Sequence, residues 1–332
     1  MSTGLLDRAE ARTDSSPTAT ATNSTATAAR RLRTTMAAVR VSFTWFGVSK
    51  GLTPQQRATA AEAFDAEGPF LSAAKKLLDT RAPAYRAVTA VRGKIAACWK
   101  AQSLPFPEPG IRLIRQSDAE AFARQMDDYR LELDDAVREL DRHYGEIKRA
   151  ARERLGRLYN DDDYPGSLSG LFAVGYDFPS VEPPGYLVAL SPQLYAEEQA
   201  RVSARFEEAV RLAEEAFLAE FARLVAHLTE RITGAGDDGA PKVFRDSAVG
   251  NLVEFFERFR QLDVRSSAEL DRLVAEAQRV VRHVAPQDLR DGEALRRRVA
   301  GELERVGRSL DDLLVDRPRR RIVRGPVPRE AS

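Results

Sequence analysis

Residues 117–158 read SDAEAFARQMDDYRLELDDAVRELDRHYGEIKRAARERLGRL. The apolar positions run Phe122, Met126, Tyr129, Leu133, Val137, Leu140, Tyr144, Ile147, Ala151, Leu155 and Leu158. They make ten steps across the 36 residues from Phe122 to Leu158, a mean spacing of 3.6. That spacing is the α-helical repeat without the 3.5-residue drift of a strict coiled coil, so it predicts a nearly straight bundle helix about 60 Å long. Ser117 followed by Glu120 has the capping-box form that opens such a helix. Between the apolar positions, carboxylates alternate with arginines in MDDYRLELDDAVRELDR. This pattern reads as a solvated, ion-paired face rather than an acid/base pair in a dry pocket.

Working outward, NDDDYPG ends this helix. LFAVGYDF and GYLVAL then read as two short β-like stretches flanking SVEPP, a small hairpin at one end of the bundle. Ser191-Pro192 opens a second long helix with Tyr195, Val202, Phe206, Ala209, Ala213, Phe217, Leu224, Leu228 and Ile232 turned inward. Two long helices joined by a compact insertion are expected to lie antiparallel. Upstream, VRVSFTWFGVSK alternates Val41, Phe43 and Trp45 against Ser42 and Thr44 and predicts a strand. Thr53-Pro54 starts a helix that Gly68-Pro69 closes. Another begins near Pro83 and carries Tyr85, Val88, Val91, Ile95 and Trp99 inward before LPFPEPG interrupts it.

Downstream, GAGDDGAPK is a linker, and three amphipathic helices follow, the second capped by Ser266 and Glu269. The expected fold is mainly α. It is an elongated helical bundle with two long antiparallel helices, a small β insertion between them and a C-terminal helical part. Its expected divisions are a disordered tail over 1–33, a long-helix bundle with short strands over 34–233, a linker over 234–242, a three-helix part over 243–315 and an Arg-rich tail over 316–332. Residues 1–33 are assigned to a tail because Ala, Thr, Ser and Asn dominate them and large apolar side chains are nearly missing.

The 332 residues are long enough to bury a real core, and 43% of them are hydrophobic. Lys and Arg total 51 against 50 Asp and Glu, a formal net charge of +1, which argues against a whole-protein grip on a polyanion. The single cysteine, Cys98, excludes a disulfide framework and reads as a buried helix residue. The N-terminus lacks a basic start followed by an apolar core, and no apolar run is long enough to span a bilayer, so the expected location is cytoplasmic.

His143, His227 and His283 stand far apart without metal-ligand spacing, and no metal or cofactor site is expected. Asp161-Asp162-Asp163 lacks the alternating oxygens, glycine and terminal glutamate of a calcium loop and reads as a solvated acidic turn. Gly234-Ala235-Gly236 lacks the strand and the Lys-Ser/Thr of a phosphate cradle. No catalytic residue is assigned. The candidate contacts are Arg317, Arg319, Arg320, Arg321 and Arg324. Arginine forks suit phosphates and carboxylates alike, so this tail is read as touching nucleic acid, docking an acidic protein partner or packing on its own chain.

Three stretches, LYNDDDYPGSL at 158–168, KVFRDSAVGNLVEF at 242–255 and VDRPRRRIVR at 315–324, together resemble a family of mostly helical bacterial and phage- or plasmid-borne proteins known only as a domain of unknown function. The resemblance covers about Val39 to Arg324. It implies no activity and no catalytic residues. Similar proteins are encoded beside MoxR-type AAA+ ATPases and von Willebrand A-type proteins, which implies a partner of the AAA+ class. The expected function is therefore a non-enzymatic helical scaffold or adaptor, partnering an AAA+ assembly or serving a mobile element. The alternatives are a nucleic-acid-binding protein using the tail and Arg296, Arg297 and Arg298, and an enzyme of unrecognised type. Self-association through the long helices is also open.

Overall fold

The computed structural model describes residues 17–233, 247–262, 264–282 and 284–315. Among them the protein is mainly α, with eleven helices and a small antiparallel sheet. The linker 234–242, the tail 316–332 and His283 lie outside the described residues. The described residues divide into two compact units, one within Arg33–Val202, which contains the sheet, and one within Met1–Leu32 and Ser203–Ser332, whose described residues form helices and no strand. The division falls within two helices, α1 (Pro17–Thr35) and α7 (Pro192–Thr233).

The sheet unit is built on β1 (Met36–Thr44), the strand expected from its alternation. It runs antiparallel to β5 (Ile111–Arg115), with Ala38 opposite Leu113, and to β6 (Ala173–Asp177), with Ser42 opposite Gly175. A β-carbon at position 175 would sit 2.9 Å from Ser42 Oγ, so glycine permits this approach. β4 (Ser103–Pro105) completes the order β4-β5-β1-β6, drawing LPFPEPG and its neighbours into the sheet. Val39, Val41 and Ile114 join Val88, Val91 and Ile95 of α3 (Pro83–Ala101) and Phe122 and Met126 of α4 (Ala119–Arg142) in one core. Of the inward residues that spacing predicts on α3 and α4, all are buried except Trp99 and Tyr129, which are half-buried against the same core.

Three expectations are corrected in this unit. The helix from Ser117 is divided at His143 into α4 and α5 (Tyr144–Leu155), where Gly145, a weak helix former, follows the break. The Ser117 capping box does not form: residues 116–118 wind as a 3-10 turn leading into α4, and Asp118 is held by Arg115 Nε at 2.7 Å. The hairpin is also absent. GYLVAL forms a single helical turn, α6 (Leu187–Leu190), and β6 pairs with β1 instead. Between β1 and α3 lie β2 (Ser49–Gly51), α2 (Pro54–Glu62) and β3 (Ala74–Lys76). β2 and β3 pair with each other, and α2 opens on the expected Thr53 cap, here a full capping box with Gln56.

The helical unit takes its core from α7, α8 (Ser247–Leu262), α9 (Ala268–Val281) and α11 (Glu293–Val315), with the short α10 (Pro286–Asp291) between the last two. Four helices stand where three were expected. Phe221 and Phe255 stack at 5.2 Å with planes 6° apart, and Phe217 and Phe259 meet Phe255 at 6.1 and 6.0 Å. The cap of α9 is Ser267, which accepts from Leu270 N, one residue after the expected Ser266. Residues 17–35 form α1, against the expectation of a disordered tail. Ala28, Ala29 and Leu32 are buried, and Ser24 Oγ donates to the carbonyl of Ser266 at 3.2 Å. Alanine is the best helix former, and its small side chain lets a helix approach its neighbours closely, so a segment poor in large apolar residues folds here through contact.

Candidate functional site

The arginines singled out in the sequence, Arg317, Arg319, Arg320, Arg321 and Arg324, lie outside the described residues. Of the neighbouring basic residues on α11, Arg297 pairs with Glu293 at 3.3 Å. Among the described residues no group of three or more His, Cys, Asp or Glu is arranged to hold a metal ion. His143 sits between Glu139 at 3.0 Å and Glu146 at 3.6 Å, and His227 is exposed.

The stretch LYNDDDYPGSL is folded tightly against the sheet unit. Asp163 is not part of a solvated turn: its side chain is 2% exposed, accepts from Lys50 Nζ at 2.6 Å and is ion-paired with Lys75 Nζ at 2.5 Å. Lys75 is itself 5% exposed and also donates to the carbonyl of Leu158 at 2.6 Å. The pairing with Lys50 and then Lys75 holds the Asp163 carboxyl below the usual carboxylate range. Asp161 and Asp162 remain exposed, with Asp161 bound by Arg152 at 2.7 Å. Tyr159 and Tyr164 stack at 5.0 Å, and Arg152 lies over the Tyr159 ring. At the far end, Asp141 of α4 accepts from Leu168 N at 2.6 Å and from Ser167 Oγ at 2.9 Å. The loop thus ties the β2–β3 pair to α4 and α5. Lys75 and Leu77 are both buried two residues apart, the period-2 mark of an inward lysine, but nothing in the sequence links that lysine to Asp163.

Beside this cluster a groove of about 420 Å³ runs between residues 76–81 and α5. Leu77, Leu78, Ile147, Ala151 and Leu155 line it with Lys76, Arg81 and Arg154. Asp79 accepts from Arg81 Nε at 3.4 Å and from Arg154 Nη1 at 3.3 Å. Hydrogen bonding from the Arg81 amide keeps its carboxyl below the ordinary value.

The largest run of exposed apolar side chains in the sheet unit lies at the start of α7. Tyr186 is 65% exposed and Leu190 72%, and Val188 and Leu194 are also exposed. Pro183-Pro184 precede this turn and Pro192 follows it, which fixes the backbone on both sides. In the helical unit a groove of about 620 Å³ between α8 and α9 is lined by Val249, Val253, Phe256, Val281 and Val284, with Glu257, Gln278 and Arg282 alongside. Such surfaces mark contact sites more often than isolated exposed residues do. No helix among the described residues is long and apolar enough to cross a membrane.

Cys98 is half-buried, and burial raises its thiol above the usual range. Comparison with known proteins gives no matching family model, curated protein or solved structure.

Proposed function

We propose that the chain is a non-enzymatic helical scaffold or adaptor that works in the cytoplasm and docks a protein partner. The observation that carries this reading is the exposed run Tyr186, Val188, Leu190 and Leu194 on α6 and the first turn of α7. Apolar side chains held on a rigid turn lose little conformational freedom when a partner covers them, so burial translates into affinity. The pairing of the two long helical runs in an elongated antiparallel bundle belongs to the same reading. So do assistance from Arg317, Arg319, Arg320, Arg321 and Arg324 in recognition, membership of the helical family named above, and a partner of the AAA+ ATPase class.

Affinity purification of the tagged chain from its host, with and without nuclease, tests the proposal alongside a Leu190→Asp, Leu194→Asp variant. The expected result is a stoichiometric protein that survives nuclease and is lost from the variant. Recovery of the same partner by both forms overturns the assignment of the surface. Material that disappears with nuclease replaces the adaptor by the nucleic-acid reading, in which affinity falls steeply with salt as phosphate contacts release counterions.

A further inference from the structure

The two most exposed aromatic side chains among the described residues stand close together in the sequence: Phe64 is 79% exposed and Phe70 86%. Between and beside them lie Glu62, Asp65 and Glu67, all exposed, and none is ion-paired with another described residue. The backbone that carries them is closely determined. α2 ends with Ala66 N donating to the carbonyl of Ala61 and Asp65 N to that of Glu62, and Asp65 occupies the left-handed region at φ 51. This is a Schellman stop with aspartate where glycine is usual. Gly68 then lies against α2 so closely that an added β-carbon would be 3.1 Å from Ala58 Cα, and the Gly68–Phe70 turn follows with Pro69 inside it. The result is an acidic knob tipped by two phenylalanines and anchored to a helix.

The groove beside α5 has the complementary character. Its floor is aliphatic, from Leu77, Leu78, Ile147, Ala151 and Leu155, and its volume of about 420 Å³ accommodates an aromatic ring. Lys76, Arg81 and Arg154 stand along it against the single carboxylate of Asp79, and Arg81 and Arg154 are 91% and 59% exposed. The knob of the same molecule does not fill it, because Phe64 and Phe70 stand in solvent.

We propose that the occupant of this groove is the Phe64–Phe70 knob of a second copy of the chain. An aromatic tip enters the aliphatic floor while Glu62, Asp65 and Glu67 face Lys76, Arg81 and Arg154. The two surfaces are different patches of one molecule, so the contact is heterologous: each docking leaves a free knob and a free groove, and assembly proceeds to a ring or an open chain. Opposed charge around the contact makes it weaken with salt. This inference is independent of the adaptor reading, since it uses neither α6 nor the start of α7 and is measured on the purified chain alone.

Sedimentation velocity of the full chain over a range of concentrations provides the test. The expected result is a mass that rises with concentration above the 36.8 kDa of the monomer and falls back when salt is added. The double substitution Phe64→Ser, Phe70→Ser removes both tips of the knob and Arg154→Glu reverses the charge of the groove, and each of these two variants alone is expected to stay monomeric. An equal mixture of the two is expected to form a species of twice the monomer mass and nothing larger, because only one intact knob and one intact groove remain to meet. Arg81→Glu serves as a second groove variant at a still more exposed position. Circular dichroism checks that each variant retains the native helix content. A chain that is monomeric at every concentration overturns the proposal, as does self-association that the folded variants leave unchanged.

Discussion

The carboxylate of Asp163 and the ammonium of Lys75 meet 2.5 Å apart, with 2% and 5% of their side chains exposed, and Lys50 closes on the other carboxylate oxygen from the surface. A buried charge without its partner costs far more than an exposed pair contributes. Asp163→Ala leaves Lys75 uncompensated beneath the loop and is expected to lower unfolding stability by about 3–5 kcal/mol. Asp162→Ala, one residue away in solvent, is expected to stay within about 0.5 kcal/mol of the parent. Urea unfolding of the two variants compares them directly, and equal midpoints would remove the structural role assigned to the pair. The same contact sets an acid dependence. Because the folded carboxyl titrates below its unfolded value of about 3.9, its contribution is complete above that pH and is lost as the pH falls through the lower folded value. The parent is therefore expected to lose stability below about pH 4, and Asp163→Ala to lack this component.

The helices were legible because their apolar spacing is long and regular: α7 runs from Pro192 to Thr233 as its pattern and proline predict, and Val202, Phe206, Ala209 and Leu228 are buried as expected. The pattern was silent about pairing between distant strands. β1 was legible as a strand and β6 as the short β-like stretch LFAVGYDF, but β1's neighbours β5 and β6 lie some seventy and more than a hundred residues on in the sequence, and the five residues of β5 do not alternate over enough length to declare themselves. The helix α1 was missed for a related reason. Its buried face is made of Ala28, Ala29 and Leu32, and periodicity arguments weigh large side chains that this segment does not have. The polar cluster was the least legible part. Asp163 follows two exposed aspartates, and its burial depends on Lys50 and Lys75 arriving from the β2–β3 pair, a meeting that no local spacing encodes.

Tyr144 carries a polar atom that the fold does not use. The residue is buried in the core of the sheet unit, its hydroxyl meets no hydrogen-bond partner among the described residues, and burial pushes its ionisation up to about 12. Removing an unpaired buried hydroxyl without changing the ring is nearly neutral or stabilising, so Tyr144→Phe is expected to change stability by no more than about 1 kcal/mol in the unfavourable direction. In alkali the difference reverses in meaning. The unfolded tyrosine ionises near pH 10 while the folded one stays neutral, so the parent loses stability as pH rises from about 10 to about 12, and the variant is expected to lose less over that interval. Denaturant unfolding at neutral pH and again in the alkaline range reads both effects. A large loss at neutral pH would show that the hydroxyl has a partner after all.

In the helical unit the corresponding weight falls on Phe255. Its ring stacks on Phe221, meets Phe217 edge-on and lies 6.0 Å from Phe259, with Arg258 5.8 Å from its centroid on the same helix. The aromatic contacts add to the area buried, and the four rings leave little room to collapse into a vacated site. Phe255→Ala is expected to cost about 3–5 kcal/mol, the range for a large aromatic removed from a close-packed core. Val253, two residues earlier on the same helix, is 46% exposed. Val253→Ala therefore serves as the control and is expected to shift stability by no more than about 0.5 kcal/mol. Thermal unfolding followed by circular dichroism distinguishes the two. If Phe255→Ala melts with the parent, α7 and α8 are held together by something other than this stack, and the core assigned to the helical unit would have to be redrawn around α9 and α11.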